Sequence, residues 1–276
     1  MNPHRQQAAT PRALLASLWR HRALIEQLVR REISGRYRGS VLGLAWSFVN
    51  PLLMLLVYSF VFSVVFKARW GGPAEHSQVA FGLILFAGLI VHGLFAEVAN
   101  RAPHLILENT SYVKRVIFPL EILPWVALGS ALFHTGISLL VLLAGQLLLT
   151  HSLPWTALLL PLVVAPLALI TVGFSWFLSA IGVYLRDIGQ GIGLLTTVML
   201  FLSPTFYPLS ALPETARTLL YLNPLTFVIE QSRQVMLFGH WPDWVGLLVY
   251  LALSLLIAWG GFWWFQRARQ GFADVV

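Results

Sequence analysis

The sequence predicts an all-α integral membrane protein: six transmembrane helices, an N-terminal amphipathic helix in the membrane interface, and two short re-entrant outer helices between spans five and six. The first observation is the distribution of charge. No Asp, Glu, Lys or Arg occurs between Ile122 and Leu185, and four shorter charge-free runs occupy residues 39–66, 76–96, 188–213 and 244–266. A helix needs about 20 apolar residues to cross a hydrocarbon core of about 30 Å, so each short run accommodates one crossing and the long run two. The second observation is where the basic residues fall. Of 18 Lys and Arg, 14 lie before span one, between spans two and three, between four and five, or after six; four (Lys67, Arg69, Arg217, Arg233) lie on the other side. The positive-inside rule then puts both termini in the cytoplasm. The third is the absence of any stretch polar enough for a separate soluble domain, so residues 1–276 read as one transmembrane domain.

The first element is residues 12–33, RALLASLWRHRALIEQLVRREI. Leu14, Leu18, Ile25, Leu28, Val29 and Ile33 fall near one helical face, and arginines, including Arg20, Arg22, Arg30 and Arg31, occupy much of the rest. Such a pattern suits a helix lying in the interface with its cations toward lipid phosphates. Span one, residues 41–66, contains Pro51, which allows either a bent helix or a short interfacial helix feeding a span from Leu52 to Phe66. An outer loop follows over 67–78, and span two runs over 79–100. Residues 101–118, RAPHLILENTSYVKRVIF, are too polar for lipid and long enough for a short helix on the inner side.

Spans three (117–149) and four (156–185) divide the long run at Thr150, His151, Ser152, Leu153 and Pro154, the polar, turn-forming cluster near its middle. Span five is placed at 190–207, with Gly189, Gly191 and Gly193 read as close packing at its foot. Residues 208–238 are strongly apolar yet carry Glu214, Arg217, Glu230 and Arg233, and Asn223-Pro224 divides them into pieces too short to cross. Two helices that dip into the outer leaflet and return fit this composition, and such a segment must border protein or a water-filled cavity. Span six is 243–265. Because about forty charged and polar residues precede the first apolar stretch, no signal peptide is expected.

Chemistry is notable for what the chain lacks. The only lysines are Lys67 and Lys114, and neither stands in a Gly-x-x-x-x-Gly-Lys-Ser/Thr loop, so no ATP site is expected here. Ion-driven transport leaves ionisable groups near the midplane, where only His92 and His134 are found, with Glu97 and Glu121 near the inner ends. No spacing suggests a metal, no cysteine exists to form a disulfide, and the net charge of +7 is read as a membrane-surface property rather than nucleic-acid binding. Energy is therefore expected from a partner ATPase on the arginine-rich face.

Eleven Trp, 18 Phe and seven Tyr form the remaining signal. Trp155, Trp241, Trp244, Trp263 and Trp264 sit at span ends, where an interfacial belt is expected. Trp46, Phe48, Tyr58, Phe62, Phe201, Phe206 and Tyr207 recur along spans one and five instead. Aromatic faces stack on sugar rings, so these seven are candidates for a glycan path; packing and lipid contact are the alternative.

The motifs REISGRYRGSVLGLAWSFVNPLL, ENTSYVKRVIFPLEILP, YLRDIGQ, LSPTFYPLSALP and LNPLTFVIEQSRQVML, in that order over about residues 20 to 265, resemble the membrane subunit of polysaccharide-exporting ATP-binding-cassette type-2 permeases. These export lipid-linked O-antigen, capsule and teichoic acid polymers. The resemblance implies a homodimer in the bacterial inner membrane, two cytoplasmic subunits that hold ATP and Mg while this chain binds no cofactor, and a channel carrying undecaprenyl-linked polysaccharide outward. It also implies a coupling helix at 104–112, with His104, Glu108, Asn109, Tyr112, Lys114 and Arg115 facing the ATPase. Pro208 to Leu222 and Pro224 to Phe238 correspond to gate helices, with Pro208, Asn223, Pro224, Glu230 and Arg233 as gate residues. Two other readings remain: a type-2 permease for drugs or small lipids, and a membrane enzyme acting on polyprenyl-linked sugars, for which the inner loops offer only Glu108 and Asp187.

Overall fold

The computed structural model describes residues 9–66, 70, 81–113 and 118–275; the predicted outer loop, apart from Trp70, and the sites at Lys114 and Arg115 lie outside them. Among the described residues every regular element is a helix, and five are long and apolar enough to cross a membrane: Gly43–Val65, Phe81–His104, Leu120–Thr150, Trp155–Tyr184 and Trp244–Gly271. The expected fifth span is shorter. Its helix, Ile188–Phe201, has 14 residues and rises about 21 Å. It stops before 207 because Pro204 disfavours helical backbone at Ser203 and cannot donate its own N–H.

Span one resolves to a single helix with Pro51 inside it. Trp46–Tyr58 is α-helical and Ser59–Val65 continues in the wider π form, so no separate interfacial piece precedes the crossing. Between Trp46 and Tyr58 only Ser47 and Leu55 are buried. Span two is the opposite: fifteen of the residues in Phe81–Arg101 are buried, making it the axis of the bundle. Spans four and six cross with their backbones touching. A Cβ on Gly261 would lie 2.1 Å from the Gly173 carbonyl oxygen, so any side chain there would separate the two helices.

The chain reverses between spans three and four at His151, whose left-handed backbone (φ 54°) and N–H bond to the Leu147 carbonyl end the helix as a Schellman-type cap would. Trp155 and Trp241 pack edge to face at this end, 4.7 Å between centroids. At the other end the first and last described parts of the chain converge. Ser17 donates to Glu121 (3.3 Å), and Arg269 reaches the same carboxylate (2.6 Å).

Three expectations require correction. The interface helix is two helices, Pro11–Arg20 and Arg22–Arg36, broken at His21, and lipid alone does not cover its apolar side: Leu28 packs on Ile122 and Val126, and Val29 fills the space a side chain at Gly129 would take. The coupling segment is two 3-10 turns, Ala102–His104 and Leu107–Asn109, with a short helix Thr110–Val113, because Pro103 and the Asn109 amide, bonded to the Leu105 carbonyl at 2.9 Å, interrupt one continuous helix. Of the three glycines at the foot of the fifth helix, only Gly189 is tightly packed, against the His104 ring.

Candidate functional site

The break after the fifth helix leaves a row of backbone carbonyls that no helix can satisfy. Side chains from further along the chain take them one by one. Asn223 donates to the carbonyls of Met199 (3.0 Å) and Leu202 (3.1 Å), Ser203 to Leu200 (2.8 Å), and Tyr207 to Phe201 (2.7 Å). Arg233, wholly buried, donates to Pro204 and Thr205 beyond the break and, through Nε, to the Ile84 carbonyl of span two. Non-helical backbone inside a membrane protein persists only when its polar groups are met by protein or water, and here they are met.

The segment after the break holds two helices, Glu214–Leu220 and Pro224–Met236, shorter than the expected 208–222 and 224–238. Pro208 lies in extended backbone before them. Asn223 caps the second helix, its Oδ1 accepting from Leu225 N–H at 3.0 Å, and Pro224 occupies the first helical position, where a missing N–H costs nothing. Glu230 and Arg233 pair at 2.9 Å. Trp70 lies under the guanidinium, 4.4 Å from carbon to ring centroid, and a Cβ at Gly88 would meet Nη2 at 2.8 Å. Arg233 is thereby a fastener between the outer helix, span two and the break, with four of its N–H bonds committed.

The candidate aromatics divide into two groups. Phe62 stacks on Phe81 (5.4 Å), which packs on Trp70. Phe201 stacks on Phe206 (5.6 Å), with Tyr207 beside them. Arg233, over Trp70 and bonded to Thr205, stands between the groups. Trp46 is half-buried and Phe48 exposed, and neither joins these stacks; Tyr58 lines a separate cavity with span two and span three.

At the arginine-rich end, the coupling segment is tied to the interface helix. Arg31 donates to the Tyr112 hydroxyl (3.0 Å), the Tyr112 ring stacks on Phe118 at 4.1 Å, and Arg101 of span two pairs with Glu32 at 2.6 Å. Arg269 binds the Phe118 carbonyl (3.2 Å) and Glu121. His104 and Glu108 are exposed on this face, whereas Arg20 projects outward, Arg22 lies over Trp19 and Arg30 makes an exposed pair with Glu26. Glu121 and Arg269 were missed as site residues. The signal in the sequence was that Glu121 is the last charge before the long apolar run; the structure buries it.

Two of the cavities among the described residues bear on function. One of about 960 Å³ lies among spans two and four, the fifth helix and the first outer helix, with a lining that is apolar except for Thr196, Tyr207 and Asn223. The other, of about 420 Å³, lies among the end of the interface helix and spans one, two and three, and it is polar toward Arg36 and Glu97.

The profile of the ABC-2 type transporter family matches residues 23–237. Over 265 residues the chain is 30% identical to an O-antigen export system permease protein of Myxococcus xanthus, an alignment covering 95% of this chain and 99% of that one. It is 24% identical to an O-antigen export system permease protein of Klebsiella pneumoniae over 92% of this chain and 95% of the relative. A polysialic acid transport protein of Escherichia coli is 25% identical, over 84% and 88% respectively.

Proposed function

This chain belongs to the ABC-2 type transporter family, and we propose that it is the permease half of an ATP-driven exporter moving a lipid-linked polysaccharide, such as an undecaprenyl-linked O-antigen, from the cytoplasmic to the periplasmic side of a bacterial inner membrane. The observation that carries this reading is the end-to-end alignment with an O-antigen export permease, 95% of this chain against 99% of the relative. Two such chains would form the channel with two cytoplasmic ATPase subunits, which hold the ATP and Mg.

In this reading the segment from Pro208 to Phe238 is the outer gate, and the fifth helix with that segment makes the sixth membrane element. The face built from His104, Glu108, Asn109 and Tyr112 receives the ATPase. Deletion of the gene should abolish surface polysaccharide while the lipid-linked polymer accumulates inside the cell, and plasmid expression should restore it. Unchanged surface polysaccharide in the deletion strain would overturn the proposal. One feature favours a second reading, a type-2 permease for small lipids: the apolar cavity of about 960 Å³ has the size and lining of a lipid site. Loss of a small-lipid export activity with surface polysaccharide intact would select it.

A further inference from the structure

The polar cavity of about 420 Å³ among spans one, two and three contains hydrogen-bonding groups that the protein itself does not use. Among the described residues the Asn50 amide, the Tyr58 hydroxyl and the Thr135 hydroxyl make no hydrogen bond, yet all three line this one space. Asn50 and Tyr58 are eight apart on span one, so both project from one helical face, and Thr135 comes from span three. Thr135 is buried, Tyr58 half-buried and Asn50 exposed, and the three line one cavity, where they provide donors and acceptors.

The electrostatics select the kind of ligand. Arg36 at the mouth is already paired with Glu97, and Tyr37 engages His134 Nδ1 at 3.4 Å, so the cavity carries no uncompensated cation for a phosphate. The three side chains are neutral, and each both donates and accepts, as the hydroxyls of a sugar do; His134 Nε2, buried without a partner, lines the same space. Pro51, Met54 and Phe86 supply apolar surface for the C–H face of such a ring. The volume lies within the range of about 300 to 1,000 Å³ usual for small-molecule sites.

We propose that this cavity is a sugar-binding subsite, formed within a single chain and distinct from the aromatic groups near the outer break, that holds one sugar residue of the exported glycan through Asn50, Tyr58 and Thr135. The proposal rests on the polysaccharide-export reading and adds where a neutral sugar is held. Because the chain has no cysteine, Asn50→Cys and Thr135→Cys each create a single thiol in the cavity. The rate of modification by N-ethylmaleimide would be compared, in the full transporter in cells, between a strain making the glycan and one lacking its first glycosyltransferase. Ser34→Cys, exposed on the interface helix away from the cavity lining, is the reference.

Slower modification in glycan-making cells is expected at positions 50 and 135, roughly twofold at half-occupancy, with position 34 unchanged. Equal rates at 50 and 135 in the two strains would overturn the subsite, and would also be the outcome if a membrane lipid headgroup filled the cavity in both. Equal slowing at position 34 would overturn it as well, since a global change rather than local occupancy would then be the cause. The gene deletion separates the two failures. Surface glycan lost on deletion, with no protection of the cavity, removes the subsite alone; surface glycan retained on deletion removes the export reading.

Discussion

Arg233 shows how much one side chain can be asked to hold. Its donors satisfy two carbonyls past the break, those of Pro204 and Thr205, and add a bond to the Ile84 carbonyl of span two, while its charge meets Glu230 and the face of Trp70. Each buried carbonyl left without a donor costs about 1 to 3 kcal/mol, so Arg233→Met should destabilise the protein by several kcal/mol. Arg233→Lys should recover little, because an ammonium lacks the planar fork that reaches carbonyls on two separate segments at once. Glu230→Gln should be milder, since that side chain is 23% exposed and water can replace it. Thermal unfolding of the three variants in detergent would rank them, and an Arg233→Met variant as stable as the parent would remove the fastener. The sequence made the Glu230–Arg233 pair legible, because three residues on a helix put them on one face. The carbonyl partners were not legible, since Ile84 lies 149 positions away and only the tertiary fold brings it there.

Among the elements, the ones that local rules govern were the ones foreseen. Spans two, three, four and six appear where apolar length and the turn at residues 150–154 put them. The fifth was overextended because the charge-free run continues to residue 213, while helix ends are set by Pro204 and by capping side chains rather than by hydropathy. The coupling segment, expected as one helix at 104–112, departs for the same kind of reason: Pro103 and Asn109 act locally against a composition that permits helix. Its role can be tested through Tyr112, which joins the interface helix by its hydroxyl and Phe118 by its ring. Tyr112→Phe keeps the stack and loses one partly exposed hydrogen bond, so export should fall only slightly. Tyr112→Ala loses the stack, worth about 0.5 to 1.5 kcal/mol, and disconnects the segment from both neighbours. At matched membrane levels, surface polysaccharide should drop severalfold in the alanine variant, and equal export by both variants would show that this contact transmits nothing.

For the whole molecule, the bundle and the convergence of the first and last described parts of the chain were readable from charge, because burying an ion in lipid is so unfavourable that sequence alone must mark the crossings. The aromatic path was less readable, since an aromatic that stacks on a partner within the chain, as Phe62 does on Phe81, has the same pattern in sequence as one awaiting a ligand. Orientation across the membrane remains the global property that the arginine partition predicts. The end holding Ser17, Glu121 and Arg269 also carries Arg31, Arg36, Arg101 and the coupling segment, whereas the end with Trp155 and Trp241 carries the outer helices. A bilayer whose cytoplasmic face bears anionic lipids would hold the arginine-rich end inside. In the cysteine-free chain, Ser210→Cys, on exposed backbone before the first outer helix, should therefore react with an impermeant thiol reagent added to intact cells. Asn109→Cys should react only after the cells are opened. Labelling of position 109 from outside would reverse the proposed orientation, and with it the proposed ATPase face, gate and direction of transport.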